Sequence, residues 1–344
     1  MTGIAAAGSR EHVSSRCSAL RRRSLVIAAI VIAAALGLTY SSLAFGAVTL
    51  SPSEVVGGLT SSSDVFARTV VWEIRFPRLL DAVVVGASLA VAGSLLQGVT
   101  RNPLGDPTIL GLTAATGLAS ALTLVLFPGA PQTAMAAMSC AGALVGASLL
   151  FVIAWRGQVS PVRLALSGVA LSAFFGAIII GLLSSSRTFI QTSVGFLAGG
   201  LYGGGWSDLY AALPYAAAGF ALAIFFSGRL NILALGDDVA SGLGILTDRT
   251  RFGVLVAAGL LTAAAVSIAG LVSFVGLLCP HLARFTVGSD NRLAIPLSAL
   301  YGALLVVAAD LFARMVISPA EIPFGIVTAG LGAPFLLYLV RVRG

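Results

Sequence analysis

Two carboxylates, Asp81 and Asp310, lie inside apolar stretches of the sequence, and each has an arginine at helical spacing. Arg78 precedes Asp81 by three residues and Arg314 follows Asp310 by four, so each pair is predicted to share one helix face. Acidic groups inside membrane-crossing segments usually mark ion or proton pathways. Both carboxylates instead fall near segment ends, where the pairs are predicted to hold the arginines at the surface. The lack of a carboxylate at mid-membrane argues against a proton- or sodium-driven carrier.

The other residues capable of chemistry are few and scattered. Cys17, Cys140 and Cys279 form no CxxC pair, and His12 and His281 are far apart, so neither a disulfide framework nor a metal site is predicted. No nucleophile stands beside a base, and no catalytic or cofactor-binding residue is predicted. All 20 basic residues are arginine, whereas a phosphate-binding GxxxxGK(S/T) loop needs lysine. Any ATP and Mg²⁺ are therefore expected on a different polypeptide.

The composition is that of a membrane protein. The 344 residues are 58% hydrophobic and 10% charged, with a mean hydropathy of +1.02, whereas soluble domains are about 25% charged. Runs of roughly 20 apolar residues recur along the chain, each long enough to cross the hydrocarbon core of a bilayer. The net charge of +7 is carried by arginines in short loops, which indicates orientation in the membrane rather than binding of nucleic acid.

The apolar runs predict an all-α, polytopic protein with about ten transmembrane helices. They are expected at 25–46, 78–99, 108–127, 133–155, 162–183, 208–227, 252–271, 272–287, 293–316 and 323–340. With the N-terminus inside, only Arg68, Arg75, Arg78, Arg187 and Arg314 fall outside. This bias agrees with the positive-inside rule, and both termini are predicted to be cytoplasmic.

The N-terminal segment 1–23 is interpreted as a cytoplasmic tail, and 24–344 as the transmembrane domain. The sequence RRRSLV at 21–26 also resembles a secretory or twin-arginine signal, and that alternative stays open. Two outer connections are predicted to contain short helices, one capped at Ser51 or Ser53 and one between 184 and 207. The inner connection 229–251 is predicted to form two short amphipathic pieces around Asp237 and Asp238.

Small residues recur every four positions on three of the predicted helices. The rows are Ala82, Gly86, Ala90, Ser94 and Gly98 in the second span, Gly168, Ser172 and Gly176 in the fifth, and Gly325, Ala329 and Ala333 in the tenth. Such rows let helix backbones approach closely in a membrane, so packing is the first interpretation. The rows of the fifth and tenth spans are alternatively expected to line a wide pathway.

Four stretches of the sequence carry a family resemblance. They are RFPR at 75–78 with the segment 86–97, RNPLGDP at 101–107 with ILG at 109–111, LALG at 233–236 with its continuation to Gly244, and GLLCPH at 276–281 through Asp310, Arg314, EIPFG at 321–325 and LGAP at 331–334. In order and spacing, from about residue 50 to the C-terminus, these stretches resemble the FecCD-type permeases. Those are the membrane-spanning subunits of ABC importers for iron-siderophores, haem and cobalamin.

The resemblance implies a type II ABC importer architecture and a set of partners. Two permease subunits, identical or related, would surround a central pathway in the cytoplasmic membrane of a bacterium. Two ATPase subunits would bind on the cytoplasmic side, and an extracytoplasmic binding protein would deliver the substrate. Membrane lipid is the remaining partner, and no cofactor is expected on this chain.

The resemblance also implies roles for individual residues. Arg75, Arg78 and Arg314 match positions that dock the binding protein through its carboxylates, a role that suits the bidentate guanidinium group; ordinary anchoring of helix ends is the alternative. The coupling helices that contact the ATPase are matched by Leu233, Ala234, Leu235, Gly236, Asp237, Asp238, Ala240 and Gly244. Before the fifth span the chain reads Ser160-Pro-Val162, which departs from the family's small hydroxyl residues. Ser160, Gly168, Ser172 and Gly176 are therefore only candidates for the gate or pathway.

The sequence thus predicts a permease subunit that moves a bulky iron chelate, a ferric siderophore, at the expense of ATP hydrolysed by its partners. A haem or cobalamin importer of the same family is the nearest alternative. An ion-coupled secondary carrier is the alternative from another class, and a purely structural or signalling membrane subunit is a third.

Overall fold

The structure is a computed structural model that describes residues 27, 29–60, 64–185, 190–201, 203–318 and 320–343. The predicted tail 1–23, its boundary at 24, Cys17, His12 and Arg187 lie outside the described residues. The chain divides into two units, 1–41 and 42–344. The described residues of the first unit are 27 and 29–41, and 29–41 form most of helix α1 (Ala29–Ala44), whose apolar side chains at Ile30, Ile32 and Leu36 are exposed.

The second unit is built almost entirely of helices. In chain order they are α2 (Pro52–Thr60), α3 (Val65–Arg68), a π-helical segment (Thr69–Arg75), α4 (Phe76–Thr100), α5 (Leu112–Leu126), α6 (Gln132–Ala154), α7 (Pro161–Ser185), α8 (Ile190–Ala198), α9 (Trp206–Leu233), α10 (Asp237–Gly242), α11 (Thr247–Ala269), α12 (Val275–Val287), α13 (Asn291–Met315) and α14 (Phe324–Arg343). Two short strands, β1 (Trp155–Arg156) and β2 (Gln158–Val159), form an antiparallel hairpin between α6 and α7. The predicted all-α class is confirmed.

Each predicted span coincides with an apolar helix, although the helices differ in length. Among the described residues, six are long and apolar enough to cross a membrane: Val65–Thr100, Gln132–Ala154, Pro161–Ser184, Trp206–Leu233, Thr247–Ala269 and Asn291–Met315. Four shorter apolar helices are Ala29–Ala44, Leu112–Leu126, Val275–Val287 and Phe324–Leu339. The protein is therefore polytopic, and the number of ten crossings stays a prediction.

Two predicted spans begin later than expected. Helix α5 starts at Leu112 because the Asp106 side chain accepts the backbone N–H of Thr108 at 2.8 Å and so holds a turn there. The segment 101–111 folds back along α4, and a Cβ at Gly105 would lie 2.8 Å from the backbone nitrogen of Gln97. Helix α12 starts at Val275 because the preceding residues Gly270 and Phe274 have positive φ angles of 71° and 69°.

Helix α4 lies at the centre of the second unit and is buried by close backbone contacts. A Cβ at Gly86 would lie 2.1 Å from the carbonyl oxygen of Gly302 on α13, and one at Gly93 would lie 1.9 Å from that of Gly276 on α12. Ala90 and Ser94 of the same row are fully buried. The predicted packing role of this row is confirmed, because only small residues allow neighbouring backbones to approach this closely.

The predicted short helices in the connections are present, with one difference. Helix α2 begins with a capping box in which the backbone N–H of Ser51 donates to Glu54 Oε2 at 2.6 Å, and α8 lies in the connection between α7 and α9. In the connection 229–251, where two short pieces around Asp237 and Asp238 were predicted, the residues before Gly236 continue α9 to Leu233, and α10 is the one short helix.

Candidate docking and coupling sites

Arg78, in the first turn of α4, is held by two carboxylates from other parts of the chain. Its Nη2 atom lies 2.8 Å from Asp310 Oδ1 on α13 and 2.9 Å from Glu321 Oε2 in the α13–α14 connection. Arg314 Nε lies 3.1 Å from Asp310 Oδ2, so the predicted pair of Arg314 with Asp310 is confirmed. The predicted pair of Arg78 with Asp81 is wrong. The close approach of α4 and α13 places Asp310 within reach of Arg78, and this contact replaces the local one.

Arg75 and Arg314 bind the last turn of α1 and the segment that follows it. Arg75 Nη1 donates to the carbonyl oxygen of Leu43 at 2.7 Å, and its Nη2 donates to that of Val48. Arg314 Nη2 donates to Ser42 Oγ at 3.0 Å. Both guanidinium groups are buried, and their hydrogen bonds to the chain compensate for the loss of water.

The side chains of the three predicted docking arginines, which we call the arginine cluster, are mostly covered: Arg78 and Arg314 are ion-paired with Asp310, and Arg75 binds backbone carbonyl oxygens. Arg75 and Arg314 are each 6% exposed, and the Arg78 side chain is 13% exposed. The more exposed group is the carboxylate of Glu321, at 32%. A partner carboxylate that approaches Arg78 must therefore compete with Glu321.

At the opposite end of α4, the predicted coupling residues divide into an inner and an outer set. Leu233 and Ala240 are buried, whereas Leu235 and Asp238 are exposed. Ala234 is also exposed, and Gly236 and Gly244 bracket α10 with φ angles of 117° and 80°, a region that favours glycine.

An exposed apolar row runs along α10 and its flanking turns, and we call it the α10 face. It consists of Leu235, Val239, Leu243 and Leu246, which are between 48% and 64% exposed. Val239 and Leu243, the residue that caps the C-terminal end of α10, are four residues apart and share one side of this helix, and Leu235 and Leu246 lie in the turns that flank it. Val239, Leu243 and Leu246 were not singled out by the sequence motifs, although the alternation of apolar and polar residues would have identified them.

Asp237, the first residue of α10, links this face to the helices behind it. Its carboxylate accepts hydrogen bonds from Arg251 Nη2 of α11 at 2.7 and 3.0 Å and from Arg101 Nη2 at the end of α4. Arg251 is 1% exposed, and it also donates to the carbonyl oxygen of Val159 in the hairpin at 2.7 Å. These contacts, the Asp237 clamp, tie α10 to α4, α11 and the hairpin.

The Asp237 carboxyl is shifted towards its charged form. Partial burial alone would raise its pKa, but the hydrogen bonds and positive charges of Arg251, and then of Arg101, outweigh that effect and lower the pKa. The Asp237 clamp was not predicted from the sequence. Arg101 and Arg251 are separated from Asp237 in the chain, and both arginines were attributed to orientation in the membrane.

The candidate gate and pathway residues are placed in different surroundings. Gly168 packs against Leu110, where an added Cβ would lie 2.6 Å from the Leu110 Cα. Ser172 Oγ donates to the Thr108 carbonyl oxygen at 2.7 Å. Gly176 faces open space, and Ser160 is half-buried at the start of α7, where its carbonyl accepts the N–H of Leu164. Two of the four residues therefore support the segment 108–111.

Comparison with known proteins gives a consistent set of relatives. The model of the FecCD transport family matches residues 25–342. The chain is 37% identical over 333 residues to the Fe(3+)-citrate import system permease protein YfmD of Bacillus subtilis, covering 96% of this chain and 98% of that protein. It is 42% identical over 275 residues to the Fe(3+) dicitrate transport system permease protein FecD of Escherichia coli, covering 80% and 86%.

A further relative and a solved structure extend the comparison. The cobalamin import system permease protein BtuC of Halobacterium salinarum is 42% identical over 280 residues, covering 80% of this chain and 74% of that protein. A solved metal-chelate type ABC transporter in an inward-facing conformation superposes with a TM-score of 0.78 at 30% identity, covering 91% of this chain and 98% of that chain.

Proposed function

Because the chain belongs to the FecCD transport family, we propose that it is the membrane-spanning permease subunit of an ATP-driven importer for a bulky iron chelate. The observation that carries this proposal is the match of the family model over residues 25–342. The similarity to an inward-facing metal-chelate transporter over 91% of the chain supports it. The chain is an integral membrane protein, and we propose that both of its ends are cytoplasmic.

The cargo we propose is a ferric chelate of the citrate or siderophore kind. The Bacillus subtilis and Escherichia coli relatives are named for import of ferric citrate. The Halobacterium salinarum relative is named for cobalamin import, so cobalamin and haem are the alternative cargoes. All of these are large metal complexes, and the family's binding proteins, rather than the permease, are proposed to choose among them.

The partner we propose for the α10 face is an ATPase subunit. The face presents apolar side chains in a connection that must otherwise contact water, and exposed apolar patches mark interaction sites. The Asp237 clamp joins this face to α4 and α11, which are the most deeply buried of the long helices. Movement of an ATPase bound to α10 would thus be passed to the centre of the helix bundle.

We propose that the arginine cluster receives the binding protein through an exchange of partners. Arg78 is the most exposed of the three arginines, and one of its two carboxylate partners, Glu321, belongs to a connection rather than to a helix. A carboxylate of the binding protein would replace Glu321 on Arg78. Arg75 and Arg314 would hold the surrounding chain in place.

The identity of the cargo is tested with the binding protein encoded beside this permease. Its thermal unfolding midpoint is measured with ferric citrate, ferric hydroxamates, haem and cobalamin, and uptake of the stabilising ligand is then compared between cells with and without the permease. We expect stabilisation by a ferric chelate and loss of its uptake in the deletion strain. Stabilisation by cobalamin or haem alone would reject the iron-chelate assignment and keep the importer. Normal uptake of every ligand in the deletion strain would reject the importer.

A further inference from the structure

Three oxygen atoms lie within 4.0 Å of one point beside Gly204, next to the first turn of α9. The three heavy atoms nearest to the position of a Cβ at Gly204 are Asp81 Oδ2 at 3.0 Å, Asp208 Oδ2 at 3.6 Å and the Leu201 carbonyl oxygen at 4.0 Å. A glycine at this position leaves the space between these oxygens open. We call this arrangement the oxygen cradle.

Asp81 brings a buried carboxylate without a hydrogen-bond partner to the oxygen cradle. Its side chain is 0% exposed, and neither of its oxygens has a hydrogen-bond partner among the residues that the structure describes. The nearest arginine along its helix, Arg78, is paired with Asp310 and Glu321 instead. A buried carboxylate without such a partner costs several kcal/mol, a cost that a bound cation or a bound proton would relieve.

Asp208 connects the oxygen cradle to the outside of the helix bundle. Its Oδ2 accepts the backbone N–H of Gly205 at 3.2 Å, and its Oδ1 accepts the Ser207 hydroxyl at 3.4 Å. The same residue lines a cavity of about 750 Å³ together with Glu321 and Gln132. The cavity gives a small solute and its water ligands access to the Asp208 carboxylate.

From this geometry we propose that Asp81, Asp208 and the Leu201 carbonyl bind a hard divalent cation of the calcium class. Hard cations prefer oxygen ligands, and Ca²⁺ accepts six to eight of them in flexible geometry, whereas Mg²⁺ demands a near-ideal octahedron. Two carboxylates and a carbonyl supply part of this shell, and water from the cavity supplies the rest. Two carboxylate charges balance the charge of the ion.

The affinity is expected to be low. Among the described residues, no group of three acidic, histidine or cysteine side chains is placed to hold a metal ion. With two carboxylates the dissociation constant is expected in the range of about 10⁻⁴–10⁻³ M, as in extracellular calcium modules. Such a site fills only where calcium is abundant.

A bound cation would join α4 to the segment that carries Leu201 and Gly204. The start of that segment is fixed by backbone hydrogen bonds, from Gly200 N–H to the Ala269 carbonyl at 2.9 Å and from Gly325 N–H to the Gly199 carbonyl at 3.0 Å. The ion would therefore link α4 with the ends of α11 and α14. Its role would be to stabilise the folded arrangement at this end of the protein.

The proposal is tested on the purified full-length chain in lipid nanodiscs by equilibrium binding of radioactive Ca²⁺ and by thermal unfolding. We expect one saturable Ca²⁺ site per chain and a higher thermal unfolding midpoint in Ca²⁺ than in Mg²⁺ or Na⁺ at the same concentration. Asp81→Asn and Asp208→Asn should each lower the affinity for Ca²⁺ at least ~10-fold. Gly204→Ala should abolish binding without a change of charge, because the added methyl group fills the oxygen cradle. Gly205→Ala is the matched control, since a Cβ there meets no atom within 4 Å.

Three outcomes would overturn the proposal: no saturable Ca²⁺ binding by the wild-type chain, equal affinity in folded Gly204→Ala and wild-type protein, or stabilisation by acid alone with no effect of Ca²⁺. The last result would assign the buried Asp81 carboxylate to a bound proton. If Gly204→Ala fails to fold, Asp81→Asn decides in its place. The test does not depend on transport, so failure of the proposed function would leave it unaffected.

Discussion

Among single residues, the decisive charges pair across helices rather than along them. Arg78 pairs with Asp310 on α13 rather than with Asp81 on its own helix. Asp237 likewise binds Arg251 and Arg101 from two other segments. A buried or half-buried charge is stable only with such partners. Removing one residue of such a pair should therefore lower the free energy of unfolding more than removing an exposed charge of the same kind.

The Asp237 clamp gives the first prediction. Asp237→Asn removes the charge that holds Arg251 and Arg101, and we expect the free energy of unfolding to fall by about 2 kcal/mol, the range for hydrogen bonds to charged groups. Asp238→Asn, on the exposed side of α10, is the charge-matched control and should change the thermal unfolding midpoint little. Equal midpoints for the two variants would show that the clamp contributes nothing to stability.

The same carboxyl predicts a pH dependence. Because Arg251 and Arg101 lower its pKa in the folded protein, the Asp237 contribution is complete above the pKa of an unfolded aspartate, about 3.9. It is lost as the pH falls through the lower, folded value. The stability difference between wild type and Asp237→Asn should thus be constant from pH 8 to about pH 5 and shrink in stronger acid. A difference that changes between pH 8 and pH 6 would contradict this assignment.

The exchange of partners at Arg78 gives a prediction for docking. Glu321→Gln weakens the internal competitor, so we expect the binding protein to associate several-fold more tightly, whereas Arg78→Gln should weaken association. Surface plasmon resonance at low salt measures both, with Arg68→Gln as a control for an exposed outer arginine. Unchanged association in both variants, with folding verified, would exclude Arg78 from the docking surface.

At the scale of elements, helix packing follows from glycines at close backbone approaches. Gly93→Ala forces a methyl group to within 1.9 Å of the Gly276 carbonyl oxygen, and we expect a loss of about 1–3 kcal/mol or more in unfolding free energy, the usual cost of overpacking. Gly181→Ala on α7, where a Cβ meets nothing within 4 Å, should be neutral or slightly stabilising. The thermal midpoints of the two variants measure the difference, and a stable Gly93→Ala protein would contradict the α4–α12 contact.

The α10 face makes a prediction about coupling. Val239→Ser with Leu243→Ser removes apolar surface that we assign to the ATPase, so substrate-stimulated ATP hydrolysis by the assembled importer should fall at least ~5-fold. Leu243→Met keeps an apolar side chain of similar volume and should retain coupling. If the double variant assembles and hydrolyses ATP as the wild type does, the α10 face is not the coupling surface.

Apolar helices were predictable from the sequence, whereas the breaks near their ends were not. Long runs of apolar residues identify α4, α6 and α11 directly, because the bilayer sets their length. The folded-back segment 101–111 and the late start of α12 depend on tertiary contacts and on positive φ angles at Gly270 and Phe274, which hydropathy does not encode. For the same reason the sequence identified the three arginines and the Arg314–Asp310 pair, but not the contacts that Arg78 and Arg75 make with distant residues.

In the whole molecule, we propose that this chain forms the pathway for the chelate and that a partner ATPase supplies the energy by hydrolysing ATP. The sequence contains no lysine for a phosphate-binding loop, and the α10 face provides a surface on which an ATPase would act. An ion-coupled carrier would need no ATPase partner. Asp81 lies near the Arg78 end of α4 rather than at its middle, so it does not supply the mid-membrane carboxylate that such a carrier would use.

Uptake by the reconstituted importer tests this claim most directly. The permease is placed in proteoliposomes with its cognate ATPase, the binding protein and radioactive ferric chelate, and ATP or a proton or sodium gradient is supplied separately. We predict accumulation of the chelate with ATP, and none when the ATPase is omitted or carries a substituted catalytic glutamate. Accumulation driven by an ion gradient in the absence of the ATPase would contradict the account.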